Sequence, residues 1–170
     1  HKHKIAVIGA GIMGVSTCYS LMKEEKDVCL IDRRQPNSQA SGSNAGSLHV
    51  QLLSYDFDPK NLQQVENLKN SLKLQKQGIA TWKKIEKEIK SDFEISNDGG
   101  LMLAENQMDL EKLNMKIELE KAAGIETKLI GQDEIYNLNN SISSKMINAG
   151  YCADEGKINP LKATTEIFNY

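Results

Sequence analysis

The motif that most restricts this chain is Gly9-Ala10-Gly11-Ile12-Met13-Gly14, a G-x-G-x-x-G set between a strand pattern and a helix pattern. Ile5-Ala6-Val7-Ile8 is a short apolar run ending at a glycine, as suits a buried parallel strand. From Ile12 to Lys23, Ile12, Val15, Cys18, Tyr19 and Met22 recur at three- and four-residue spacing, which predicts a helix. Asp27-Val28-Cys29-Leu30-Ile31-Asp32 reads as a second buried strand, so the unit is a compact βαβ with a right-handed crossover. Asp32 closes that strand, 23 residues after Gly9. This is the context of a dinucleotide-binding turn, and each glycine has a mechanical reason in it. Gly9 permits the turn out of the strand, Gly11 lets the backbone approach a diphosphate, and Gly14 lets the helix pack on the sheet. The amides of the first helical turn, around Ile12 and Met13, are expected to point at phosphates, and Asp32 to accept from ribose hydroxyls.

Composition narrows the function classes. With 21 Lys+Arg against 23 Asp+Glu the net charge is −2, which gives no electrostatic reason to invoke nucleic acid or an anionic membrane. Apolar residues at 39% and charged residues at 26% describe a folded chain rather than a disordered one. No run approaches the about 18–20 apolar residues of a membrane span. Cys18, Cys29 and Cys152 are widely spaced and form no C-x-x-C, which fits reduced thiols in a cytoplasmic protein and neither a zinc knuckle nor a disulfide scaffold. Peripheral attachment to the cytoplasmic membrane face stays open. The start His1-Lys2-His3-Lys4 could mimic a signal peptide, but Gly9, Gly11 and Gly14 break the apolar run and no cleavage site follows. The chain lacks an initial Met and stops inside a helical pattern at Glu166–Tyr170, so a truncated fragment is expected.

Beyond the βαβ unit the pattern changes. A small and polar loop runs from Gln35 to Ser47, a composition that usually faces solvent or a ligand. Asn61 to Ile89 carries Leu62, Val65, Leu68, Leu72, Ile79, Trp82, Ile85 and Ile89 at helical spacing, giving one or two amphipathic helices with Gly78 as the break. That stripe reads as core-facing. Phe93–Ile95 and Leu101–Leu103 flank Asn97-Asp98-Gly99-Gly100 and predict a hairpin. A helix over Met108–Ala123 follows, with Leu110, Leu113 and Ile117 on one face and Gly124 at its end. Then come a strand over Ile125–Ile130, a short helix to Leu138 capped by Asp133, an apolar stretch over Lys145–Ala153, and a last helix with Pro160 in its first turn. The fold class is α/β: a Rossmann-like βαβ unit with the start of an inserted α+β domain. The expected division is 1–50, 51–152 and a return segment 153–170.

The glycine loop alone does not separate NAD from FAD. A nicotinamide domain normally continues with another helix and strand, whereas this one is interrupted, as in flavin domains that carry an inserted substrate domain. An NAD-dependent dehydrogenase and a non-enzymatic nucleotide-binding module remain the alternatives. Arg33 and Arg34, the two arginines of the chain, follow Asp32 and suit the adenosine or phosphate end of a ligand.

Ile5 to Ser47 resembles the N-terminus of the FAD-dependent D-amino acid oxidase superfamily, which includes glycine oxidase, sarcosine oxidase and D-amino acid dehydrogenase. Gly9, Gly11, Gly14 and Asp32-Arg33 carry the likeness, together with Ser41-Gly42-Ser43-Asn44-Ala45-Gly46-Ser47. The resemblance implies bound FAD, with Ser41, Asn44, Ala45, Gly46 and Ser47 as further cofactor contacts. Gly99-Gly100-Leu101 is similar to the family's first substrate-domain hairpin, and Glu155-Gly156-Lys157-Ile158-Asn159-Pro160 to its return into the cofactor domain. Asn44–Gln51 also resembles the smaller subunits of opine oxidases, which implies a hetero-subunit or oligomer as partner. The implied reaction is hydride transfer from an amine or amino-acid carbon to flavin, giving an imine that hydrolyses. The later strands and most substrate contacts would then lie in a remaining C-terminal part, leaving this piece inactive alone with an unpaired sheet edge.

Other polar residues acquire no role from sequence. His49 reads as a packed or exposed histidine close to the cofactor loop, and His1 and His3 as disordered terminal residues. Asp154-Glu155 has no partner His or Cys, so no metal site is expected. No catalytic side chain is named.

Overall fold

In the computed structural model, residues 2–170 are described. The elements in order are β1 (Ile5–Ile8), α1 (Ile12–Lys23), β2 (Val28–Ile31), β3 (Ser47–Leu48), α2 (Leu62–Ile89) and β4 (Gly100–Ala104). There follow α3 (Gln107–Ala122), β5 (Thr127–Gly131), α4 (Gln132–Leu138), β6 (Asn148–Cys152), β7 (Gly156–Lys157) and α5 (Pro160–Asn169). Two units are separable. The first takes residues up to 47 with 82–95 and 157–170; the second takes 48–81 and 96–156. Residues 82–95, from the middle of the stretch read as 51–152, thus cluster with the first unit.

In the first unit β1 and β2 pair in parallel, from Ile5 opposite Val28 to Ile8 opposite Ile31. The α1 crossover buries Val15, Cys18 and Tyr19. Ala163, Thr164 and Ile167 are the buried residues of α5, and the rings of Tyr19 and Tyr170 lie 5.8 Å apart. Asn159 caps α5, its side chain accepting from the amides of Leu161 and Lys162, and Pro160 fits the first turn because its missing N–H needs no partner there. The end of α2 belongs to this unit: Glu88 accepts from Tyr19 Oη at 2.5 Å and from Lys23 Nζ at 2.6 Å. Phe93 is fully buried, edge-on to Trp82 at 6.0 Å, and burying such a ring is worth about 1.5–3 kcal/mol.

The second unit is built on an antiparallel sheet in the order β4-β6-β5. Ala104, Leu113 and Ile117 form a core with Met102, Leu110 and Ile147, joining α3 to the sheet. Ile130, Ile135 and Ala149 form another with Leu101, Leu103 and Tyr151, joining α4. Gly150 gives the central strand its fit under α3, since a Cβ there would sit 3.1 Å from Leu113 Cδ1.

Several expectations are corrected. Phe93–Ile95 is not a strand, and β4 pairs with β6 instead of closing a local hairpin, because strand pairing follows sheet burial rather than turn composition. Gly78 does not break α2, which runs through it: a glycine inside a helix costs only about 1 kcal/mol against alanine. Leu62, assigned to the core-facing stripe, is 79% exposed. The residue before α4 is Gly131, whose amide donates to Glu134; Asp133 sits inside the first turn, where it complements the helix dipole. His3 is ordered against Asp27, Nδ1 to Oδ1 at 2.8 Å, whereas His1 lies outside the described residues. No described helix is long and apolar enough to cross a membrane.

Candidate functional site

The turn after β1 is shaped by glycine where the backbone demands it. Gly9 has φ +105°, a conformation side chains disfavour, and its amide donates to Ile31 O at 2.8 Å. A Cβ on Gly14 would lie 1.7 Å from the Gly9 carbonyl, so α1 can start this close to the strand end only with glycine there. A Cβ on Gly11 would meet Ser41 Oγ at 2.9 Å, so the residue that makes room for a ligand also makes room for the loop.

Asp32 is exposed and its carboxylate accepts from the Ala10 amide at 2.6 Å and the Arg34 amide at 2.8 Å. The Ala10 hydrogen bond first, then that of Arg34, holds its carboxyl below the usual carboxylate range. Asp32 therefore stitches the tip of β2 to the glycine turn, a connection the ribose expectation did not contain. The Ile12 amide, expected to face phosphate, donates to Ser41 Oγ at 3.0 Å. Met13 has an 80% exposed side chain, so what it offers at this helix start is its backbone.

The loop after β2 folds on itself. Asn44 donates to Ala40 O and Ser41 O and accepts from the Gly46 amide at 2.8 Å, so its side chain braces the loop. Gly46 has φ +67°, and a Cβ would lie 2.0 Å from Ile158 O, where the return segment crosses it. Ala45 and Ser47 are exposed, as is Arg33. Sequence reasoning missed Asn37, which is buried at φ +60° and donates through Nδ2 to Pro160 O and Leu161 O; its Oδ1 is buried without a partner among the described residues. Ala10, Gly11, Asp32, Asn37, Gln39 and Ser41 share one small cavity beside the turn. Open space at Gly9, a carboxylate with lone pairs to spare, and a hydroxyl at a helix start together suit a dinucleotide.

The second unit carries a buried polar cluster with no sequence signature. Lys116 and Glu120, one turn apart on α3, are fully buried and paired at 2.7 Å. Lys116 Nζ also donates to Gln51 Oε1 at 2.9 Å, and Glu120 Oε1 accepts from the Leu52 amide at 2.6 Å. Glu155 Oε1 accepts from the Val50 and Gln51 amides at 2.6 and 2.7 Å, and its Oε2 faces His49 Nδ1 at 3.0 Å. Two acidic side chains thus hold Val50–Leu52 by its backbone. Among the described residues no cluster of His, Cys, Asp and Glu has the makings of a metal site.

Comparison with known proteins gives the family and the fold. The chain resembles D-amino acid dehydrogenase 3 of Mesorhizobium japonicum, 48% identical over 46 residues, which are 26% of this chain and 11% of that protein. The crystal structure of L-proline dehydrogenase from P. horikoshii superposes with TM-score 0.79 at 25% identity, covering 99% of this chain and 41% of that one. Glycine oxidase from Geobacillus kaustophilus (TM-score 0.81, 17% identity) and L-amino acid deaminase from Proteus myxofaciens (0.82, 17%) share the fold over 99% of the chain, which covers 44% and 36% of theirs. The chain spans less than half the length of these relatives. The FAD dependent oxidoreductase (DAO) family model matches residues 4–169, and the chain belongs to that family, whose cofactor is FAD rather than NAD.

Proposed function

We propose that this chain is the cofactor-binding start, with the beginning of the substrate domain, of a longer flavoenzyme that oxidises an amine or amino acid at its carbon–nitrogen bond. The family match over residues 4–169 carries the reading. Nitrogen-bearing substrates are favoured because the similar proteins are named for glycine, L-proline and D- or L-amino acids.

In this reading the first unit binds FAD and the second begins the substrate domain. Gly9, Gly11 and Gly14 shape the turn, while the Met13 amide and the Ser41 hydroxyl, itself held by the Ile12 amide, would hold the diphosphate. Ser41 Oγ accepts from Ile12, which leaves its O–H to donate to a phosphate oxygen. Asp32 accepts from the ribose with lone pairs not used by its two amide donors, and Arg33 adds positive charge beside it. Asn44, Ala45, Gly46 and Ser47 would contact the flavin through backbone and small side chains. Bound FAD supplies the hydride acceptor, and the protein orients the substrate against it.

The test is to purify the full-length protein and titrate it without oxygen against glycine, sarcosine, L-proline and D-amino acids. A yellow protein whose flavin absorbance bleaches with one of them is expected. A protein that takes up no FAD, or whose FAD no nitrogen substrate reduces, defeats the proposal.

A further inference from the structure

Glu155 is bound in a way that leaves its second oxygen one use. Its side chain is 8% exposed, and Oε1 is committed to the amides of Val50 and Gln51. Those two bonds fix the rotation of the carboxylate and aim Oε2 at His49 Nδ1. A carboxylate only accepts, so Nδ1 carries the ring proton and Nε2 is left with a lone pair. The His49 side chain keeps 38% exposure, so the ring is oriented from a buried side and open on another. The other charged groups around the pair are few. Asp154 precedes Glu155 in the chain, with Cys152 at the end of β6; Gly100 of β4 packs on the Glu155 stem; the Lys116–Glu120 pair of α3 reaches the segment through Gln51 and Leu52.

We propose that His49 is the proton acceptor that converts the substrate's ammonium group to the neutral amine, with Glu155 as its positioning residue. The inference rests on the amine-oxidising reading above. An ammonium group has no lone pair to drive hydride departure from its carbon, so a proton must leave first. The ammonium N–H bond breaks with its electron pair remaining on nitrogen, and a new N–H bond forms at His49 Nε2. The imidazolium so formed is held against the Glu155 carboxylate, and no oxidant or reductant enters the step. His49 follows the small-residue loop by only two positions in the chain, which keeps it in the part of the sequence assigned to cofactor and substrate.

Glu155→Gln separates this role from a merely structural one. The Val50 and Gln51 amides still need an acceptor, so the new carbonyl takes the place of Oε1 and the new NH2 group faces Nδ1. The ring must then carry its proton on Nε2 and loses the lone pair that the proposal uses. In the intact FAD-loaded enzyme, imidazole nitrogen NMR is expected to show the Nδ1–H form of His49 in the wild type and the Nε2–H form in E155Q. Flavin reduction by the amine substrate, followed against pH, should be about 100-fold slower in E155Q and in H49Q near neutral pH, with the deficit closing at high pH where the substrate amine is already neutral. Should E155Q lose FAD or its melting transition, H49Q at its half-exposed position decides alone. A wild type reduced by substrate, with H49Q matching its rate and pH profile, overturns this inference and leaves the functional reading standing. A wild type that no amine reduces overturns both.

Discussion

The two units fix their functional segments by opposite means. In the first, the glycine turn is held by backbone: Gly9 at positive φ, Gly14 against the Gly9 carbonyl, and the exposed Asp32 accepting from Ala10 and Arg34. In the second, residues 49–52 are held by acidic side chains, Glu120 and Glu155, with Lys116 buried beside them. A turn that must receive a charged ligand keeps its polar groups near water, where desolvation is small. A segment held by buried charge gains a fixed geometry but depends on every partner being present. The first design fails on added bulk at its glycines; the second fails when one charged partner is removed.

That contrast breaks first at Lys116. Lys116→Met leaves Glu120 charged, buried and uncompensated, and should lower the unfolding free energy by about 3–5 kcal/mol in a urea melt. A double variant with Glu120→Leu should recover most of it, since a buried ion pair replaced as a whole is often neutral. Gly14→Ala probes the opposite design. Its Cβ cannot share space with the Gly9 carbonyl, so a loss of about 1–3 kcal/mol is expected together with loss of FAD from the full-length enzyme, read as flavin released on gel filtration.

Tyr19→Phe tests whether the first unit depends on side-chain pairing away from its turn, with about 1 kcal/mol expected from the lost hydrogen bond to Glu88. Burial first, then the Glu88 hydrogen bond, pushes the Tyr19 hydroxyl up to about 12. Because the folded value is raised, this stabilisation is complete below the ordinary tyrosine value of 10.0 and fades as pH rises towards 12. Tyrosinate absorbance should show a late-titrating component that Tyr19→Phe removes. The smallest effect belongs to Asp32. Its folded carboxyl titrates below the ordinary 3.8, so its contribution is present above that value and lost as pH falls through the lower one. Asp32→Asn should flatten that part of the acid-melting profile while scarcely changing the neutral melting point.

Legibility followed the range of the interactions. The βαβ unit could be read because a strand, a glycine turn and a helix each leave a periodic trace within thirty residues. The capped start of α5 at Asn159-Pro160 was legible for the same reason. The hairpin expected around Asn97–Gly100 failed because β6, some fifty residues later, outcompetes Phe93–Ile95 as the partner of β4. Lys116 and Glu120 were invisible since a charged pair at i,i+4 looks the same on a solvated helix face as on a buried one. Ser41 was found as a loop residue, but its bond to the Ile12 amide joins positions 29 apart and leaves no local pattern.

The amino-acid sequence by itself determined the glycine turn, the parallel strand pair and the acidic residue closing it, because backbone φ and side-chain period are properties of neighbouring residues. Tertiary structure alone decided which carboxylates are buried, which strand completes the second sheet, and that His49 is oriented by Glu155. Those outcomes depend on desolvation and on partners roughly a hundred residues away, where the free energy of a polar group is set by what surrounds it.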